Sequence, residues 1–237
     1  MTYREVFDTC VPKVKREKER WNIFAAYIGR PISVLLTIPL IETKVKPSTI
    51  TFLSILAALI GFSLFATGEG QQYYLIGWFF FFVWNILDGV DGNLARCQGS
   101  CSPLGELWDA TGGYAAMVLT YLSVGMAAYY DDNAVSFCSP HYYLAFGGFA
   151  AVLSIFPRLI LHKRKNLNMS QDSVNELQDK KNFGFVQIVS MNLISVSGFM
   201  QVLFLICIVT HTLNMFICFY LVINLLMCLL SLRKLLK

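Results

Sequence analysis

Long apolar runs separated by short polar breaks dominate the chain, and their lengths predict membrane-crossing helices rather than a water-facing fold. Six stretches are long enough, at about 48–67, 72–96, 103–130, 142–161, 183–209 and 213–232. The breaks GEGQQ, CQGSCSP, DDNAVSFCSPH and THTLN, with the longer polar run 166–182, read as turns and surface loops. Residues 21–43 are also apolar, but Gly29-Arg30-Pro31 and Pro39 leave no uninterrupted run that could span. This stretch reads as an interfacial helix with Trp21 and Tyr27 at headgroup level. Residues 1–20 mix basic and acidic side chains and read as a solvated, partly helical lead-in. Pro47 suits the first turn of the first span, where Ser48 or Thr49 can satisfy free amides. Pro157 is positioned to kink the fourth span. The expected fold is all-α: six transmembrane helices plus an N-terminal interfacial helix. Residues 1–43 form the N-terminal segment and 44–237 a single membrane domain.

Composition agrees. The 237 residues are 56% apolar and only 14% charged, with mean hydropathy +0.55, which excludes a separate soluble domain. The net charge of +4 matters less than where the charges lie. The N-terminal segment, the Arg96 break, the HKRKN…DKK loop and the RKLLK tail are basic, whereas GEGQQ, DDNAVSFCSPH and THTLN contain no Lys or Arg. The positive-inside rule therefore places both termini in the cytoplasm. A polar, charged N-terminus argues against a cleaved signal peptide. Seven scattered cysteines form no paired CxxC set, so neither zinc nor disulfides are expected, and nothing suggests a nucleic-acid partner.

The chemistry concentrates in Asn85–Gly113, NILDGVDGNLARCQGSCSPLGELWDATGG. Three carboxylates, Asp88, Asp91 and Asp109, fall in or beside membrane-spanning segments. Each would cost ~2.5–3.5 kcal/mol at the bilayer centre, and three roughly 8–10 kcal/mol, unless a partner offsets the charge. A divalent cation is the economical partner for carboxylate oxygens. Asp88, Asp91 and Ala95 share one helical face, which Gly92 borders. Gly92 and Ala95 remove bulk there, so that a flat or phosphorylated ligand can reach the backbone. Arg96 ends the run with a fixed charge suited to phosphate. A short turn then returns the chain as an antiparallel helix carrying Gly105 and Asp109, so Asp109 can face the other two carboxylates.

These residues resemble a known signature. Asp88-x2-Asp91-Gly92-x2-Ala95-Arg96-x8-Gly105-x3-Asp109 is similar to the motif of the CDP-alcohol phosphotransferase family. The Pro47-Ser48-x2-Thr51 stretch resembles the opening of that family's first span, with Ser48 in place of an Asn and Thr51 at a position near the nucleotide. The resemblance implies transfer of a substituted phosphate from a CDP-linked donor to an alcohol or lipid acceptor, with release of CMP, in phospholipid or related lipid synthesis. It implies Mg²⁺ or Mn²⁺ on Asp88, Asp91 and Asp109, room for the cytidine and its phosphates beside Gly92, Ala95 and Gly105, and Arg96 toward phosphate. It implies an integral, multi-pass membrane location with the site at the cytoplasmic face, membrane lipids as partners, and allows a homodimer. Donor and acceptor identities stay open.

One position departs from the pattern. The family continues three residues past Asp109 to a fourth Asp, implied there to complete a second metal position and to deprotonate the acceptor; this chain has Gly113. Glu106, Asp109 and His162 are the candidate substitutes for the base, an acceptor that is already an anion would need none, and Gly113 could also be an introduced change. An active, divergent enzyme is the leading expectation. The alternative is a catalytically degenerate relative that binds a CDP-lipid or metal without turnover. A cation transporter is disfavoured, because the carboxylates cluster at one membrane face. Arg158, deepest of a basic cluster that includes His162, Lys163, Arg164 and Lys165, is a candidate subsite for an anionic substrate. Gln187 and Asn192 read as interhelical hydrogen-bonders.

Overall fold

The computed structural model of the chain describes residues 2–11, 22–135, 137–166, 192–196 and 198–233, with the side chains of 161–166 outside that set. Helix α1 covers Tyr3–Cys10. A π-helical turn, Ala25–Gly29, leads into α2, Arg30–Thr37, and a 3₁₀ turn, Ile38–Leu40. The long helices follow: α3 Pro47–Ala66, α4 Gln71–Cys97, α5 Pro103–Tyr130 and α6 His141–Asn166. Then come α7 Met200–Val209 and α8 Leu213–Arg233.

Four described helices are long and apolar enough to cross a membrane: Pro47–Ala66, Gln71–Cys97, His141–Ile160 and Leu213–Arg233. The expected six are thus met only in part. Helix α5 has 28 residues, ample length, but Thr120, Tyr121, Ser123 and Gly125 dilute its hydropathy. Those residues are buried, because α5 turns this side to other helices rather than to lipid. The fifth expected span is described from residue 192 onward apart from 197, and its long helical piece is the ten residues of α7, about 15 Å of helix. Residues 183–191, with Gln187, lie outside the described residues.

Small residues set the helix crossings. A Cβ on Gly61 of α3 would stand 2.9 Å from the Gly77 carbonyl of α4. One on Gly125 of α5 would meet the Tyr143 carbonyl of α6 at 2.8 Å, and one on Gly147 the Tyr121 carbonyl at 2.9 Å. Backbones this close gain dispersion contacts that bulkier residues would forbid, which is how helices associate where lipid supplies no hydrophobic drive. Phe65 of α3 stacks on Tyr74 of α4 at 5.1 Å and on Phe204 of α7 at 5.4 Å. Asn224 of α8 donates to the Ala150 carbonyl of α6 at 3.4 Å. Phe52, Leu56 and Leu59 of α3 point outward, as a lipid-facing side requires.

The N-terminal segment is more than a solvated lead-in. Thr2 and Glu5 form a reciprocal cap on α1. Val6 and Cys10, one turn apart, are fully buried, packed with Val34 of α2 and partly buried Cys97 at the end of α4. Residues 12–21, with Trp21, lie outside the described residues, and Tyr27 is exposed. At the start of α3, Pro47 occupies the first turn as expected, but Lys46 is the cap residue and no side chain caps the helix. Ser48 instead lines a cavity between α3, α4 and α5.

Candidate active site

The carboxylates sit where α4 ends and α5 begins. Gly99, at φ 63°, takes the left-handed conformation that stops α4, and the Ser100 amide returns to the Ala95 carbonyl at 2.9 Å. Ser102 then caps α5 by accepting from the Gly105 amide at 3.1 Å, and Pro103 opens the helix. This tight reversal brings Asp109 alongside the motif on α4.

A cavity of about 450 Å³ opens between α3, α4 and α5. Thr51, Asp91, Gly92, Ala95, Arg96, Gly105, Glu106 and Asp109 line it, with Pro47 and Ser48 at its α3 side. Its floor is fixed by one bond: Thr51 Oγ1 donates to Asp91 Oδ2 at 2.5 Å, both residues being buried. Two charged atoms there are buried without a hydrogen-bond partner among the described residues, Asp91 Oδ1 and Arg96 Nε. Arg96 also donates from Nη2 to Asn93 Oδ1 at 2.9 Å and lies over Gly92, where a Cβ would stand 3.3 Å from Nη2. Glycine at 92 thus makes room for the arginine as much as for a ligand.

A second, smaller chamber of about 200 Å³ lies on the other side of α4. Asp88 borders this one rather than the first, together with Arg30, Ser33, Asn85 and Gly89. Gly92, Arg96 and Asp109 line both chambers, so the two meet along that wall. Asp88 feels the charges of Asp109 and Asp91 and, with opposite sign, those of Arg158 and Arg30.

Among the described residues, no three acidic, His or Cys side chains stand close enough together to hold an ion. Asp91 is buried on α4 while Asp109 is exposed on the facing helix, and their like charges favour separation. The donor chemistry still fits a hard divalent cation: the groups are carboxylates, and Asp91 Oδ1 is buried without a hydrogen-bond partner among the described residues. Arg158 lines neither chamber and reaches the site only through its charge on Asp88. Glu106 lines the larger cavity. His162 falls in the described backbone of α6, but its side chain is outside the described residues. A Cβ on Gly113 would meet nothing within 4 Å among the described residues. Asn192 accepts from the Ile23 amide at 3.0 Å, tying a later segment to the N-terminal one rather than touching the site.

Sequence reasoning passed over Arg30, Ser33 and Asn85. The available signal was a lone arginine inside an apolar interfacial stretch, which was read as a break. Behind it, Asn93 Nδ2 donates to Ser33 Oγ at 3.3 Å, and Cys10 Sγ donates to the Asn93 carbonyl at 3.5 Å, so α1, α2 and α4 meet at one buried point. Cys10 Sγ also lies 3.0 Å from Cys97 Sγ. Burial, reinforced by that neighbouring thiol, pushes the Cys10 thiol up to about 12. It therefore remains neutral and inert, packing the junction rather than reacting.

A helical membrane protein with acidic and arginine-lined chambers at one end of its bundle defines a class built to handle phosphorylated substrates beside a bilayer. Residues 44–228 match the family described as CDP-alcohol phosphatidyltransferase, and the chain belongs to that family. Such proteins transfer a phosphate-bearing group from a CDP-alcohol to an acceptor in lipid synthesis, generally with a divalent metal. No curated protein matches the chain.

Proposed function

We propose that the chain is an active, metal-dependent transferase that moves a substituted phosphate from a CDP-linked donor to an alcohol and releases CMP. The observation that carries this reading is the larger cavity, whose lining unites Thr51, Asp91, Gly92, Ala95, Arg96, Gly105 and Asp109 from three helices. Asp88, Asp91 and Asp109 would hold Mg²⁺ or Mn²⁺. Once bound, the cation would neutralise diphosphate charge and stabilise the leaving CMP.

The chain's own residues do the rest. Gly92, Ala95 and Gly105 leave room for the nucleotide against backbone. Arg96 lines the cavity, and its guanidinium supplies N–H donors for a diphosphate oxygen. Thr51 holds Asp91 through Oδ2, leaving Oδ1 without a hydrogen-bond partner among the described residues. Transfer forms a bond from the acceptor oxygen to the donor's β-phosphorus and breaks the bond from that phosphorus to the bridging oxygen, whose electron pair departs with CMP. The hydroxyl proton passes to a carboxylate on the cavity wall, Asp109 or Glu106, in place of the family's fourth Asp.

Six crossings with both termini and the site at the cytoplasmic face complete the reading. The loop charges support it. So does the antiparallel order of α3 to α6, which brings Pro47, Arg96, Pro103 and Arg158 to one end of the bundle.

CMP release from CDP-diacylglycerol and from CDP-linked polar alcohols, with and without Mg²⁺ or Mn²⁺, tests the proposal. Asp91→Asn should lower release by about 10²-fold or more, as loss of a main electrostatic group does. Wild-type rates in that variant would refute the assignment. Thermal stabilisation by CDP-compounds without any CMP release would instead establish the non-catalytic alternative.

A further inference from the structure

The smaller chamber is unlike the larger one in what lines it. Apart from Ala25 and glycines, its wall is made of Arg30, Ser33, Asn85, Asp88, Arg96 and Asp109, with no bulky apolar side chain. A lipid acceptor would need an apolar surface beside its reacting hydroxyl. This chamber offers charges and hydrogen-bonding groups instead. It holds about 200 Å³ against about 450 Å³ next door, room for a small polar molecule and little more. It opens onto the larger cavity along Gly92, Arg96 and Asp109, where an occupant's hydroxyl would face a diphosphate held there.

We propose that the smaller chamber is the acceptor subsite, and that Arg30 selects a small hydrophilic alcohol carrying a phosphate, so that the lipid arrives on the CDP-linked donor. This rests on the transferase reading above and adds the direction of the reaction and a specificity residue. Arg30 is set at the junction where the π-turn Ala25–Gly29 passes into α2. Its helix cannot drift, because a Cβ on Gly89 would already meet the Ser33 Cβ at 2.9 Å, and Ser33 is buried and bonded to Asn93. A planar guanidinium held in place recognises phosphate by paired N–H bonds, at a distance from the reacting hydroxyl. Arg96, shared by both chambers, stands between the acceptor's phosphate and the donor's diphosphate and screens their repulsion.

The test uses the full chain in detergent or nanodiscs. CMP release from CDP-diacylglycerol is measured with sn-glycerol 3-phosphate and inositol phosphate, against unphosphorylated glycerol and inositol. The phosphorylated acceptors are expected to have the lower KM. Arg30→Gln should raise that KM at least about tenfold, leave the donor KM within twofold, and leave the KM for unphosphorylated acceptors unchanged. Arg30→Lys should recover part of the loss. Equal use of charged and uncharged acceptors by the wild type would overturn the proposal, as would an Arg30→Gln effect confined to the donor KM. If only a CDP-linked polar alcohol yields CMP, the assigned direction is overturned; if neither donor class yields CMP, the transferase reading itself fails. The chamber is then judged by binding: thermal stabilisation by sn-glycerol 3-phosphate, weakened in Arg30→Gln, supports an anion subsite, and its absence overturns one.

Discussion

Gly113 stands where the signature that the chain resembles continues to a fourth Asp. A Cβ there would meet nothing within 4 Å among the described residues. Gly113→Asp is therefore sterically allowed, and it stands one turn from Asp109 on the same face of α5. The expected outcome is a rise in CMP release at saturating donor, with little change in donor KM, measured side by side with the wild type. An unchanged rate would mean that Asp109 or Glu106 already serves fully. Thr51 makes the complementary point. Its bond to Asp91 occupies one carboxylate oxygen and leaves the other unpaired among the described residues, so a hydroxyl on the first long helix orients an acid forty residues later.

Helix crossings explain both what the chain announced in its residues and what it concealed. Gly61 and Gly77 bring α3 and α4 together at backbone distance, and α4 carries the acidic motif. Gly61→Leu should wedge the pair apart and lower stability by about 1–3 kcal/mol, read from thermal unfolding in detergent. Activity should fall with it, since Thr51 and Asp91 sit on the two separated helices. The extents of α3, α4, α6 and α8 were readable because uninterrupted apolar runs have few alternatives. Helix α5 was readable in extent but not in hydropathy, since the small and polar residues that suit it to other helices weaken its membrane signal. The docking of α1 was hidden, because only Val6 and Cys10 of its eight residues are buried, and such a short alternation within a charged stretch carries little signal. The lining of the larger cavity followed from spacing on α4 and α5, which local periodicity encodes. The smaller chamber depends on α2 meeting α4 through Ser33 and Gly89, a contact between segments about sixty residues apart that no local pattern records.

Taken as one object, the protein divides its work between a family-wide portion and a segment ahead of it. The match to the family begins at residue 44, whereas Arg30 and Ser33, which complete the smaller chamber, lie before that point. The segment is anchored by a chain of contacts from Cys10 to Asn93 to Ser33, and Asn93 in turn accepts from Arg96. That wall has a consequence for fidelity. A diphosphate donor beside a bilayer is always at risk from water, which is smaller than any alcohol and far more abundant. Ser33→Leu would push α2 off Gly89 and widen the way in for water. The leaky variant should begin to waste donor as a hydrolase, and the ratio of phosphomonoester lipid to transferred product would count how often the breach is used.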